Sequence, residues 1–159
     1  MGDTTERQVE ALLRDALPEG ARLYPNVRFV TKTRPTGPAH DGEADLVLVH
    51  PEYGLLVIEV KGGAPTRDGQ GRWFLGGREL KRSPFQQAED AKHDLVREIQ
   101  GQPDWPRDRQ LRAGHAVAFP NADLATLPAG HPLRGADMPR VLILDEEALS
   151  SPAKARRAL

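Results

Sequence analysis

The sequence predicts an α/β domain around a mixed central sheet flanked by helices. Three observations lead there. Two apolar runs, LVLV at 46–49 and LLVI at 55–58, lie a short turn apart, as paired buried strands do. Segments 4–17 and 84–100 carry apolar residues at helical spacing. The elements then follow in the order helix, strands, helix, strand, strand, helix.

Each element has its own signal. Val9, Leu12, Leu13, Ala16 and Leu17 form one helical face over 4–17. Asp3 and Glu6 have capping-box spacing at its start, and Pro18 and Gly20 end it. Residues 21–32 read as one or two strands interrupted by Pro25, and residues 33–43, rich in Pro, Gly and His, as a loop. The strong strands are 44–50 and 55–61, joined by His50–Pro51–Glu52–Tyr53–Gly54. A hairpin turning at Asp68–Gly71 follows. The second helix opens at Ser83 as N-cap with Pro84 at its first position, and runs to about Gln100. Residues 113–121 contain a strand. After an irregular loop, 140–149 reads as a strand running into a helix capped by Asp145.

The totals exclude several classes. The chain has 159 residues, enough for one domain spanning 1–159, with 38% hydrophobic and 28% charged residues. No apolar run is long enough for a membrane span, and the N-terminus lacks signal-peptide order. With no cysteine, a cytoplasmic location is expected, and any metal site must use Asp, Glu, His or backbone oxygen. The five histidines are scattered without metal-ligand spacing and read mostly as surface residues. A net charge of −1 leaves nucleic-acid binding to local clusters. The best cluster is residues 67–82. There Arg67, Arg72, Arg78, Lys81 and Arg82 outnumber Asp68 and Glu79, with Trp73 and Phe74 interleaved. The plain alternative is a solvated hairpin with a core tryptophan.

The apolar strands carry charge at their ends. Strand alternation puts Val57, Glu59 and Lys61 on one face, and Asp45 on a neighbouring strand can converge with Glu59. A carboxylate at a core margin is costly unless paired or bound to a cation. Two carboxylates, a backbone carbonyl and waters suit Mg²⁺. Lys61 can then hold an attacking water or counter charge developing on a phosphate. A same-face Glu59–Lys61 ion pair is the plain alternative. Glu6 falls inside the apolar arc of the first helix and can approach such an ion, or serve only its cap. Gln87, at the start of the second helix, can touch a phosphate or orient Lys61, or simply be solvated.

The set of Glu6 in TERQVEALL, Asp45 in GEADLVLV, LLVIEVKG, Trp73 after a turn, SPFQQA and AVAFPN resembles the nuclease-related domain, NERD, of the PD-(D/E)xK nuclease superfamily. The resemblance covers roughly residues 4–145. It implies a restriction-endonuclease-like α/β core and a metal-dependent deoxyribonuclease of DNA repair or processing. It implies Mg²⁺ or Mn²⁺ on Asp45, Glu59 and the Val60 carbonyl, Lys61 as catalytic, and Gln87 and Glu6 in support. Arg72, Arg78, Lys81 and Arg82 are then the nucleic-acid contacts. DNA is the partner, with a helicase or other DNA-processing domain in cis or trans. The alternative is a nuclease-fold DNA-binding or recruitment module with little or no turnover. Ser83 departs from the asparagine usual in the family but serves equally as a cap.

Overall fold

The computed structural model describes residues 3–32, 37–135, 138 and 140–159, without the side chains of Thr31, Lys32 and Val141. Helix α1 (Thr4–Ala16) begins in the expected capping box: the Asp3 carboxylate accepts the Glu6 N–H, and Glu6 accepts the Asp3 N–H. Strands β1 (Arg22–Lys32), β2 (Ala39–His50) and β3 (Gly54–Val60) follow, then a small sheet of β4 (Thr66–Arg67), β5 (Trp73–Leu75) and β6 (Arg78–Leu80). Next come α2 (Pro84–Gln100), β7 (Ala113–Phe119), β8 (Ile143–Asp145) and α3 (Pro152–Ala158). The main sheet has the order β1-β2-β3-β7-β8. Its β1–β2–β3 half is antiparallel and its β3–β7–β8 half parallel, so it is mixed as expected.

Strand β3 lies at the centre and explains its own sequence. Ile58 and Val60 pack toward α1 with Val9 and Leu13, while Leu55 and Val57 pack toward α2 with Ala91 and Leu95. Both faces are covered, which is why LLVI shows no polar alternation. Glu59 and Lys61 share the α2 side with Val57. Helix α2 starts as predicted, the Ser83 hydroxyl accepting the Gln86 N–H at 3.1 Å.

Several expectations change. Residues 21–32 hold one strand, not two: Pro25 pairs with Leu46 inside β1. Because β1 is an edge strand, the missing N–H of a proline costs no ladder bond on its open side. Residues 39–43, read as loop, belong to β2; residues 33–36 lie outside the described residues. Segment 140–149 forms a 3₁₀ turn, then β8, then a turn in which Asp145 accepts the Ala148 N–H; there is no α-helix in it. The last helix, α3, is capped by Ser151 instead. Its Arg156 donates to the Ala16 carbonyl at the end of α1. Not all histidines are superficial either. His50 is buried, with Nε2 on the Glu19 carbonyl and Nδ1 accepting the Glu52 N–H.

The β1–β2 ribbon changes the face it presents partway along. Leu23 packs on the α1 side, but Val27 and Phe29, of the same parity, pack on the α2 side. Likewise Leu46 and Leu48 face α1, whereas Ala44 joins the α2 cluster. The register is unbroken, so no residue is inserted. The turnover falls at Asn26, whose φ of 49° is tolerated by asparagine better than by most residues, and Asn26 stands opposite Asp45. Beyond it the Phe29 ring lies on Gly42, where a Cβ would come within 2.2 Å of the ring.

Candidate active site

The site arises where two strands part. Pairing between β2 and β3 runs from His50 with Gly54 to Leu46 with Ile58. One rung further stand Asp45 and Glu59. There the Val60 N–H is taken by the Asp45 carboxylate, Oδ2 at 2.8 Å, instead of a ladder carbonyl. The divergence opens a cleft of about 310 Å³ on the α2 side, lined by Asp45, Glu59, Gln87, Arg82 and Asp90 among others. A larger hollow of about 510 Å³ on the outer β1–β2 ribbon, between Arg28 and Glu43, is lined by neither Asp45 nor Glu59; chemistry, not size, marks the site.

Lys61 completes the arrangement. Its Nζ donates to Glu59 Oε1 at 2.6 Å and to Gln87 Oε1 at 3.1 Å. The Gln87 Nε2 donates to the Arg82 carbonyl at 3.0 Å. A cation on one side and a carbonyl on the other leave a single sensible orientation for that amide. Of the readings open to Gln87, a contact with Lys61 is the one whose hydrogen bond is present. Arg82 itself is held by Asp90, which also accepts from Gln86.

One ammonium does not satisfy this much acid. Glu59 is only 8% exposed. Burial, then the Glu59 charge, push the Asp45 carboxyl up to about 6, against the opposing Val60 N–H and Lys61. Glu6 is also raised, first by its own burial and next by the Asp45 charge. It closes the cap of α1 and also lies within electrostatic reach of Asp45. Glu10 turns away into an ion pair with Arg14 at 2.6 Å.

The donor set fits a hard divalent cation. Asp45 and Glu59 offer carboxylate oxygen, and burial together with their mutual repulsion keeps the Asp45 carboxyl raised despite Lys61. Among the described residues no group of three or more His, Asp or Glu forms a cation cage. Two carboxylates are the arrangement that suits an ion keeping several waters.

The basic hairpin divides into committed and open cations. Arg72 pairs with Asp68 at 2.7 Å, nears Glu79 at 3.9 Å and lies over the Phe74 ring. Arg67 lies over Trp73. Arg78 and Lys81 are exposed, and among the described residues neither forms an ion pair. Trp73 is the core tryptophan of the plain alternative: it packs on Phe85, which meets Phe119, in a row of rings running into the core. It offers no surface for stacking bases.

Sequence reasoning gave no role to Asn121, whose Nδ2 donates to the Gly62 carbonyl at 2.6 Å. The AVAFPN stretch was the available signal, but the bond spans chain segments that only the fold brings together. The sequence model of the family described as nuclease-related domain, NERD, matches residues 1–120. No curated protein and no solved structure matches.

Proposed function

The chain belongs to the nuclease-related domain family, and we propose that it is a divalent-metal-dependent nuclease of the PD-(D/E)xK type that hydrolyses DNA phosphodiester bonds in repair or processing. The observation that carries this reading is the open rung between β2 and β3, where two crowded carboxylates meet a lysine held by Glu59 and Gln87. Asp45 and Glu59, with the Val60 carbonyl, hold Mg²⁺ or Mn²⁺. Bound there, the ion supplies charge neutralisation for a phosphate and a more acidic water. Lys61 presents its ammonium to the scissile phosphate and counters charge that develops in the transition state. Gln87 keeps that ammonium in place, and Glu6 adds negative potential behind Asp45. Arg78 and Lys81 hold neighbouring backbone phosphates, with Arg72 and Arg82 beside them. In this reading the protein works in the cytoplasm, with a helicase or other DNA-processing domain in cis or trans.

The test is cleavage of single-stranded, duplex and branched DNA with Mg²⁺ or Mn²⁺, wild type against Lys61→Met. That substitution keeps the apolar stem and removes the charge. Cleavage should fall by on the order of 100-fold or more, the size of losing one transition-state stabiliser. Metal affinity should persist, because a protonated lysine is no ligand. Equal trace cleavage by both proteins, with equal DNA binding, would instead make this a recruitment module without turnover.

A further inference from the structure

Asn121 stands outside the constellation just described, yet it grips the chain one residue from Lys61. Strand β3 ends at Val60, and two glycines, Gly62 and Gly63, follow Lys61. Glycines leave the backbone freer than any other residue. Two bonds to β7 and its following turn hold this segment. The Lys61 N–H donates to the Ala118 carbonyl at 2.9 Å, and the Asn121 amide donates to the Gly62 carbonyl at 2.6 Å. The chain here also passes close to the start of α1: a Cβ on Gly62 would stand 3.0 Å from Thr5 Oγ1.

Asn121 is itself well held. It lies in a turn closed by the Ala122 N–H on the Phe119 carbonyl, and the Ala122 carbonyl accepts the Glu146 N–H beyond β8. A fixed turn therefore reaches across 59 residues of sequence to the backbone that carries Lys61. We infer that Asn121 is a positioning residue for Lys61: it fixes the Lys61–Gly62 backbone so that the ammonium meets Glu59, Gln87 and the scissile phosphate together. The catalytic part of this inference rests on the nuclease reading; the clamp itself does not. A displacement of about 1 Å in a reacting group costs on the order of 100-fold in rate. The side chain is otherwise exposed, so its loss should leave the core untouched.

Asn121→Asp tests this, since aspartate has the same shape and no N–H to give. In Mn²⁺-dependent DNA cleavage, kcat should fall by roughly tenfold to 100-fold, with KM, the Mn²⁺ midpoint and the melting temperature nearly unchanged. In a Lys61→Met background the same substitution should add no further loss, because its effect passes through Lys61. Amide hydrogen exchange supplies a readout free of turnover: the Lys61 amide should exchange about tenfold faster, with Val57 and Ile58 unaffected. An unchanged exchange rate at Lys61, or a loss of kcat that persists undiminished in the Lys61→Met background, overturns the inference. If the wild type does not cleave, the nuclease reading falls and the exchange measurement alone decides the clamp.

Discussion

Two ion pairs of nearly equal length have opposite electrostatic settings. In the cleft, Lys61 meets Glu59 at 2.6 Å, with side chains 17% and 10% exposed. On the hairpin, Arg72 meets Asp68 at 2.7 Å, with side chains 51% and 26% exposed. The hairpin acid is satisfied: the Arg72 backbone N–H, its guanidinium and the Gln70 N–H all bond Asp68 and hold its carboxyl below the usual range. The cleft is not: Lys61 serves Glu59, and Asp45, across from Glu59, is pushed up. Bond length alone distinguishes neither. What differs is burial and the number of N–H groups that reach the acid: backbone N–H bonds fasten Asp68 in its turn, while burial and a second carboxylate raise Asp45.

The largest expected effect breaks the cleft's side of that contrast. Asp45→Asn keeps the shape and removes a charge, so metal-dependent cleavage should fall about 100-fold to 1,000-fold. The metal-free protein should behave oppositely. A carboxyl whose folded value is raised contributes stability that is complete below its unfolded value, 3.8, and is lost as pH rises through about 6. Relative to Asp45→Asn, the metal-free wild type should therefore weaken between pH 4 and 7, by about 2 kcal/mol after discounting for water that reaches the carboxyl. Millimolar Mn²⁺ should raise the melting temperature of the wild type and not of the variant. Urea melts at both ends of this pH window check the sign. A wild type that gains on the Asp45→Asn variant as pH rises without metal would mean that Asp45 is already satisfied.

The hairpin yields a smaller effect. Arg72 is matched by Asp68, whereas Arg78 and Lys81 are exposed and, among the described residues, in no ion pair. Replacing Arg78 and Lys81 by alanine should weaken DNA binding several-fold and reduce the slope of log affinity against log salt by about 1 to 2. Arg72→Ala should change that slope by less. Anisotropy titrations over about 50 to 200 mM salt make the comparison. A larger slope change from Arg72 would mean that its pair with Asp68 opens to phosphate.

The parts legible in the sequence were those set by local chemistry. Ser83 and the Asp3–Glu6 box marked helix starts because caps are short-range, and LLVI marked a central strand because burial on both faces removes alternation. What the fold decides over distance was not legible. Pro25 looked like a break because only the strand order reveals that β1 is an edge. Residues 39–43 looked like loop because a polar, glycine-bearing stretch gains its pairing and the Phe29 cover from β1. Segment 140–149 looked helical after Leu144, but parallel pairing of 143–145 with β7 leaves Asp145 to cap a turn. In the site, Asp45, Glu59 and Lys61 could be read from strand parity, while the Gln87–Arg82 and Asn121–Gly62 bonds join segments by side chain to backbone and leave no periodic trace.

The smallest effect sharpens the contrast at a third acid. Glu6 and Glu10 lie one turn apart on α1, but Glu10 is matched by Arg14 as Asp68 is by Arg72, while Glu6 feels Asp45. Burial and then the Asp45 charge raise Glu6, whereas Asp45 is raised chiefly by its own burial and by Glu59. Glu6 is also reached by water, which screens it from the ion site. Glu6→Gln should keep the cap, since its amide oxygen can still accept the Asp3 N–H. It should weaken Mn²⁺ binding by only about threefold, the loss of one screened negative charge near the ion. Glu10→Gln should leave Mn²⁺ binding unchanged and cost the helix roughly 0.3–0.5 kcal/mol, as an exposed pair at this spacing does. Calorimetric Mn²⁺ titrations beside thermal melts separate the two. Equal Mn²⁺ affinities for both variants would confine Glu6 to the cap and leave Asp45 and Glu59 as the whole charge of the site.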